Sequence, residues 1–196
     1  MPRHERQNAG NSEHPKALLT RTQTVADKEL IVDLRKVDFD NVIADVEEIR
    51  RLNPQRYELE QLTAIVYENL DEKTFVGYKD VTDDEFWVRG HMPGMPLMPG
   101  VVMLEAAAQL CSYFTQMHNL LECDIVGFGG LNHVRFRGTV RPGQRLILMG
   151  QLTKVRARRM LVSRFQGIVN DMVVVEGEIK GIPLPISALT EGTGDT

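Results

Sequence analysis

The sequence contains little cysteine, little net charge and no long hydrophobic run. Its 196 residues include two cysteines, Cys111 and Cys123, which are too few for a disulfide framework. A net charge of −4 argues against a general nucleic-acid-binding protein. No apolar run reaches the length of a membrane span, and the N-terminus lacks the apolar core of a signal peptide. We therefore expect a cytoplasmic protein without a membrane span and without a nucleic-acid partner.

The composition is sufficient for a folded core. Hydrophobic residues make up 42% of the chain, and the length suggests one domain with an appendage. The first 28 residues are polar and aperiodic, and we assign residues 1–38 to a flexible N-terminal extension in which the short apolar cluster over 30–34 is a candidate to dock on the domain. The folded domain is predicted to span 39–187, followed by a loose Gly- and Thr-rich tail over 188–196.

The order of strand and helix patterns predicts the α+β class. Asp40 is a candidate N-cap for a helix over 41–52. One long apolar helix lies between two groups of predicted strands, and Pro183 and Pro185 are expected to end the sheet. The predicted strands cover 63–67, 74–81, 125–140, 145–155, 160–169 and 172–179. This order predicts an antiparallel sheet wrapped around one long buried central helix.

The segment 90–109 joins an irregular loop to this helix. Three prolines and three glycines within residues 90–100 exclude a helix there. From Val101 to Phe114 the chain has neither residue, and its apolar side chains point in every direction around the helix axis. Pro99 suits the first helical turn, where a missing N–H costs little. The loop is therefore expected to run directly into the N-terminus of a buried helix.

This segment also contains the candidate catalytic groups. His91 is a candidate general base, since imidazole titrates near neutrality. Glu105 is a candidate general acid, because burial favours the neutral form of a carboxyl group. The N–H groups of Gly100 and Val101 begin the helix and can stabilise developing negative charge. Such a set suits elimination from a 3-hydroxyacyl thioester, although His91 could be an ordinary loop histidine and Glu105 could serve a structural partner.

The spacing of these residues resembles a known family. The pattern His-x-Pro-Gly-x-Pro-x-x-Pro-Gly-Val-x-x-x-Glu-x-x-x-Gln, from His91 to Gln109, is similar to that of the hot-dog-fold 3-hydroxyacyl-[acyl-carrier-protein] dehydratases of type II fatty-acid synthesis. The resemblance implies a hot-dog fold and a homodimer, or a trimer of dimers. It also implies that base and acid act across the dimer interface. Glu105 points to the dehydratase-only branch, since the dehydratase–isomerases have Asp at this position.

The resemblance also implies supporting roles. It assigns the oxyanion N–H to Gly100, makes Gln109 the partner of Glu105, and makes the Leu97 carbonyl the group that orients His91. The loop residues that we assign to the substrate tunnel are Met92, Pro93, Met95 and Pro96. No metal and no organic cofactor is implied.

Two other regions bear on the substrate. The family usually has His-Arg-Tyr-Pro-Phe where this chain has residues 55–59, and only Arg56 and Tyr57 are retained. That region helps to shape the substrate entrance in the family. The basic cluster, defined as Arg156, Arg158 and Arg159, is either a solvated strand edge or a docking patch for an acidic carrier protein.

The function predicted from these observations is dehydration of (3R)-3-hydroxyacyl thioesters, carried on acyl carrier protein or coenzyme A, to trans-2-enoyl thioesters. Two alternatives stay open at this point. One is a hot-dog hydrolase of acyl thioesters, and the other is a non-catalytic acyl-binding or partner-binding module.

Overall fold

The computed structural model describes residues 29–185. Within this range the chain forms helices α1 (Val46–Leu52) and α2 (Gly100–Met117), with short 3₁₀ turns at Leu34–Lys36 and Tyr57–Leu59. The strands are β1 (Ala64–Asn69), β2 (Thr74–Asp80), β3 (Ile125–Phe136), β4 (Arg145–Arg156), β5 (Met160–Val169) and β6 (Met172–Leu184). No helix in the described range is long and apolar enough to cross a membrane.

All six strands join one antiparallel sheet in the order β1-β2-β4-β5-β6-β3. Helix α2 follows β2 in the chain and contacts five of the strands, namely β2, β3, β4, β5 and β6. The predicted α+β hot-dog architecture, a sheet wrapped around one central helix, is therefore confirmed. The N-terminus of α2 and the preceding loop lie beside the end of β3, where His91, Gly100 and Phe136 line one concavity.

Helix α2 is buried along most of its length. Twelve of its 18 residues are buried, and Phe114 stacks on Phe75 of β2 with ring centroids 4.5 Å apart. The prediction of a buried helix is thus confirmed for most positions. The exposed apolar residues are at the two ends of the helix, where Val101 is 71% and Met117 is 53% exposed.

The first helix is shorter than predicted. Asp45, rather than Asp40, caps it, and Asp45 forms a capping box with Glu48. The residues before it are extended, because the Ile43 and Ala44 N–H groups donate to the Ile65 carbonyl and Ile65 N–H donates back to Ala44. Pairing with β1 therefore replaces the predicted first turns of this helix, and Ile43 stays 40% exposed.

Two predicted strand ends also differ from the structure. Strand β3 ends at Phe136, short of the predicted end at residue 140. Strand β6 continues through Pro183, which pairs with Val126 of β3. The last pair between β5 and β6 is at Gly181, so Pro183 lies where β6 has a neighbour on one side only. Such a position tolerates the missing N–H of proline.

Residues 29–38 pack against the outer face of the sheet, although we predicted them to be part of the flexible extension. Val32 and Val37 are buried there against apolar residues of the strands. The Gln166 amide pairs with the backbone, accepting from Ile31 N–H (2.9 Å) and donating to the Glu29 carbonyl (3.2 Å). The packed part of the chain thus begins before the predicted boundary at residue 39. The rest of the extension and the tail over 188–196 lie outside the described residues.

Candidate active site

The loop before α2 fixes the orientation of His91. Its Nδ1 atom lies 2.7 Å from the Leu97 carbonyl oxygen, and the Leu97 N–H donates back to the His91 carbonyl (2.8 Å). A carbonyl can only accept, so Nδ1 carries the hydrogen in this contact. The neutral ring then has its free lone pair on Nε2, and the imidazole is exposed. This geometry matches the predicted orienting role of Leu97 and leaves Nε2 available as a base.

The tip of this loop is held by its own backbone. Met92 and Met95 exchange two hydrogen bonds (3.1 and 2.9 Å), and Gly94 between them has φ +74°, which favours glycine. Met92, Pro93 and Met95 are exposed, while Pro96 is half-buried. None of the four lines the concavity around His91 or the cavity around Glu105. Their assignment to a substrate tunnel stays a prediction, because a tunnel at this position would require a second surface that packs against the loop.

The start of α2 opens into the same concavity as His91. Gly100, Val101 and Phe136 of β3 line it together with the histidine. The first helical hydrogen bond runs from Val102 N–H to the Pro99 carbonyl (2.9 Å), so the N–H groups of Gly100 and Val101 precede the helical ladder. These donors and the positive end of the helix dipole suit an oxygen that gains negative charge.

Gly100 is also needed for packing. A Cβ atom at this position would lie 2.7 Å from the Phe136 ring, which is closer than real contacts allow. The absence of a side chain lets the start of α2 approach β3. The residue that is predicted to supply the oxyanion donor is therefore also the residue that brings the two elements together.

Glu105 lies one and a half turns further along α2, half-buried, and its Oε1 accepts two side-chain hydrogen bonds. Gln109 Nε2 donates from one turn further on, at 2.8 Å. Gln55 Nε2 donates at 3.2 Å from the segment before β1. The predicted contact between Glu105 and Gln109 is present. The contact with Gln55 was not predicted, although Gln55 occupies the position where the resembling family has histidine.

Gln109 is locked by backbone groups. It is 2% exposed, its Oε1 accepts from Gln61 N–H at 2.9 Å, and its Nε2 also donates to the Leu59 carbonyl at 2.6 Å. The carbonyl of Gln109 itself accepts from Asn53 Nδ2 at 2.9 Å. The segment 53–61 is thus fastened to α2 beside Glu105. That network fixes which end of the Gln109 amide faces the carboxyl group.

A narrow cavity of about 80 Å³ lies beside Glu105, between α2 and strands β3, β5 and β6. Its walls include Gln55, Cys111, Phe128 and Leu161. Burial raises the pKa of the Cys111 thiol to about 12, so this sulfur stays protonated near neutral pH and is a poor nucleophile. The acid–base group that this cavity offers is therefore the Glu105 carboxyl.

The two candidate catalytic residues do not share a cavity within one chain. His91 belongs to the concavity at the start of α2, and Glu105 belongs to the cavity beside β6. Both border strand β3, however, with Phe136 at the first site and Phe128 at the second. One chain thus presents the candidate base and the candidate acid at two separate places along one strand.

The basic cluster lies at the other end of α2 from His91. Arg158 N–H donates to the carbonyl of Leu121, beyond the C-terminus of the helix, and its guanidinium pairs with Glu122 at 2.7 Å. All three arginines are exposed, with Arg156 at the end of β4 and Arg158 and Arg159 on the turn to β5. Leu161, just after this turn, lines the Glu105 cavity. The cluster is therefore nearer to that cavity than to the concavity around His91.

Within residues 29–185, no group of three or more His, Cys, Asp or Glu side chains is arranged to hold a metal ion. The chemistry that this part of the chain offers is that of an imidazole, a carboxyl group and backbone donors at a helix start.

Comparison with known proteins identifies the family. The profile of the FabA-like domain family matches residues 53–178. The chain is 40% identical over 144 residues to the 3-hydroxyacyl-[acyl-carrier-protein] dehydratase FabZ of Desulfotalea psychrophila, covering 69% of this chain and 90% of the relative. It is 35% identical over 135 residues to the FabZ of Clostridium botulinum, covering 69% of this chain and 88% of the relative.

Solved structures support the fold. A chain of the dehydratase heterocomplex ApeI:P from Xenorhabdus doucetiae superposes with a TM-score of 0.60 at 14% identity, covering 75% of this chain and 97% of the other. Cj0977, a sigma28-regulated virulence protein of Campylobacter jejuni, superposes with a TM-score of 0.56 at 13% identity, covering 75% of this chain and 95% of the other. At such identities these structures speak to the fold alone. The matched residues contain the complete loop and helix described above, and the chain belongs to the FabA-like family of hot-dog proteins.

Proposed function

We propose that this protein dehydrates (3R)-3-hydroxyacyl thioesters to trans-2-enoyl thioesters. The observation that carries the proposal is that His91, held through Nδ1 by the Leu97 carbonyl, lines the same concavity as Gly100 and Val101 at the start of α2. The relatives named as 3-hydroxyacyl-[acyl-carrier-protein] dehydratases share this family and support the same reaction.

The reaction follows from the groups in place. His91 Nε2 takes the proton from the α-carbon, and the electrons of that C–H bond form the double bond. The thioester oxygen, which gains negative charge, accepts hydrogen bonds from the N–H groups of Gly100 and Val101. The bond from C3 to oxygen breaks, and Glu105 protonates the departing hydroxyl to give water. Each positioned proton-transfer group contributes roughly 10²–10⁴-fold to the rate.

We propose that a homodimer brings the His91 concavity and the Glu105 cavity together into one active site. Strand β3 is an edge of the sheet and has exposed apolar side chains, with Phe128 49% and Phe136 52% exposed. An unpaired edge of this kind favours pairing with another strand. In a two-fold antiparallel pairing of β3 with its copy, centred near Asn132, the Phe136 end of one strand meets the Phe128 end of the other. The His91 concavity of one protomer would then face the Glu105 cavity of its partner.

Complementation between two inactive variants tests this arrangement. Glu105→Gln and His91→Ala should each be inactive dimers. After mixing and reassembly, heterodimers contain one intact site and one doubly substituted site. Activity should recover to roughly a quarter of wild type if exchange is random, because half of the dimers have one working site of two. Heterodimers confirmed by native mass spectrometry that show no recovery would refute the shared site.

Assay with two thioesters tests the reaction itself. A dehydratase interconverts 3-hydroxybutyryl and crotonyl thioesters without releasing free thiol. Thiol release would favour the hydrolase alternative, and no change in either substrate would favour a binding module. Both results would contradict the proposal.

The identity of the molecule that carries the acyl group, acyl carrier protein or coenzyme A, is also part of the proposal. The basic cluster is exposed near the wall of the Glu105 cavity and could receive an acidic acyl carrier protein, as the names of the relatives suggest. Coenzyme A thioesters are the other candidate substrates. A cytoplasmic location and an assembly beyond the dimer also stay predictions.

A further inference from the structure

Gln55 touches the carboxyl group of Glu105 from outside the helix. Its Nε2 donates to Glu105 Oε1 at 3.2 Å, and the two residues line the same cavity. They are 50 positions apart in the chain, so no helical spacing brings them together. Gln55 is half-buried, and the fastening of residues 53–61 to α2 holds its backbone in place.

The two amides make the oxygens of Glu105 unequal. Oε1 accepts from both Gln109 (2.8 Å) and Gln55 (3.2 Å). An oxygen that already accepts two N–H groups is a poor site for a proton, because the proton would point at those donors. The acidic proton of the carboxyl group therefore belongs on Oε2, and after transfer the charge on Oε1 is stabilised by both donors.

The side-chain amides of Gln109 and Gln55 differ in whether both of their polar atoms have hydrogen-bond partners. Both ends of the Gln109 amide are engaged, by the Gln61 N–H on one side and the Leu59 carbonyl on the other. Gln55 Oε1 is buried and has no hydrogen-bond partner among the described residues. A buried acceptor without a partner is unfavourable until a donor arrives. The empty acceptor lies on the side chain that holds the catalytic acid.

We propose that Gln55 is a positioning residue that joins the acid to the substrate's 3-hydroxyl group. Its Nε2 holds Glu105 Oε1 and thereby directs the proton to Oε2. Its Oε1 accepts a hydrogen bond from the 3-hydroxyl, which leaves a lone pair of that oxygen facing Glu105 Oε2. The proton then moves from Oε2 to the hydroxyl oxygen as the bond to C3 breaks, and water leaves. This inference rests on the proposed dehydration.

The test replaces Gln55 with methionine, which has a similar length and no amide. For dehydration of a 3-hydroxybutyryl thioester, kcat should fall about 10–100-fold, a part of what a general acid contributes. The pH above which kcat declines should move upward, because a carboxylate with one donor fewer is less stabilised. A Gln55→His variant, which restores an N–H donor, should recover part of kcat. Gln116→Leu is the matched control, since Gln116 is also a half-buried glutamine but donates to the Asp124 carbonyl.

Substrate selectivity tests the second contact. A butyryl thioester lacks the 3-hydroxyl and binds without reacting. The ratio of its inhibition constant to the KM of the hydroxylated substrate should fall about 3–10-fold in Gln55→Met, as expected for the loss of one hydrogen bond. Circular dichroism checks folding, and if Gln55→Met does not fold, Gln55→His and Gln55→Leu take its place. The inference would be overturned if Gln55→Met left unchanged either the pH above which kcat declines or the ratio of the inhibition constant to KM. A wild-type protein that forms no enoyl product would instead overturn the proposed function itself.

Discussion

Gln109 connects the candidate acid to the backbone of residues 59–61, and its replacement by leucine should destabilise the protein strongly. The change removes the bonds to Gln61 N–H, the Leu59 carbonyl and Glu105 Oε1. Gln61 is 1% exposed, so its N–H would lose its partner without access to water. Such a donor costs about 1–3 kcal/mol, and the two less buried bonds add roughly 0.5–1.5 kcal/mol each.

The expected loss of unfolding free energy is therefore about 2–6 kcal/mol, a large part of the ~5–15 kcal/mol that stabilises a typical domain. Urea denaturation at fixed protein concentration measures it, since assembly also affects apparent stability. Gln116→Leu removes one exposed bond from the same helix and should cost under about 1 kcal/mol. Equal midpoints for the two variants would refute the view that Gln109 fastens the segment 53–61 to α2.

Other predictions concern the site and its surroundings. His91→Ala should abolish dehydration with little change in the midpoint of thermal unfolding, because the ring is exposed; retained activity would contradict the mechanism. Reversing the three arginines of the basic cluster to glutamate should weaken turnover of a carrier-bound substrate and spare a small thioester, and equal effects on both would favour a solvated edge. An alkylating reagent at pH 8 should modify Cys123 before Cys111, as peptide mass spectrometry would show. Burial raises the pKa of both thiols, but Cys123 is only half-buried, whereas Cys111 is buried and its pKa is raised to about 12.

The features that could be predicted from the residues are those set by short separations along the chain. Prolines and glycines prevent a helix in the loop, and their end marks the start of α2 at Gly100. Glu105 and Gln109 share a face because they are four residues apart, and the hydrogen bond between them is present. The contact between His91 and the Leu97 carbonyl is also present, although it was implied by the resemblance to the family and not by any spacing rule.

The first helix shows where local patterns fail. Residues 41–45 have a helical pattern and a possible cap, yet Ile43 and Ala44 pair with Ile65 of β1. Those bonds depend on a strand some twenty positions away, so tertiary pairing overrides the local preference. Val32 lies in the apolar cluster over 30–34 that was a candidate to dock on the domain, and it packs with Val37 on the apolar outer face of the sheet.

The sequence by itself thus determined the fold class and the buried helix, because both depend on periodicity, and the spacing from His91 to Gln109 indicated the family. The roles of His91, Glu105 and the N–H groups at the helix start stay predictions. Only the tertiary structure decided that Gln55 reaches Glu105 across 50 positions and that Gln61 holds Gln109. It also decided that His91 and Glu105 open into different cavities along β3. Such long-range contacts follow from how the whole sheet wraps around α2, and no spacing along the chain encodes that arrangement.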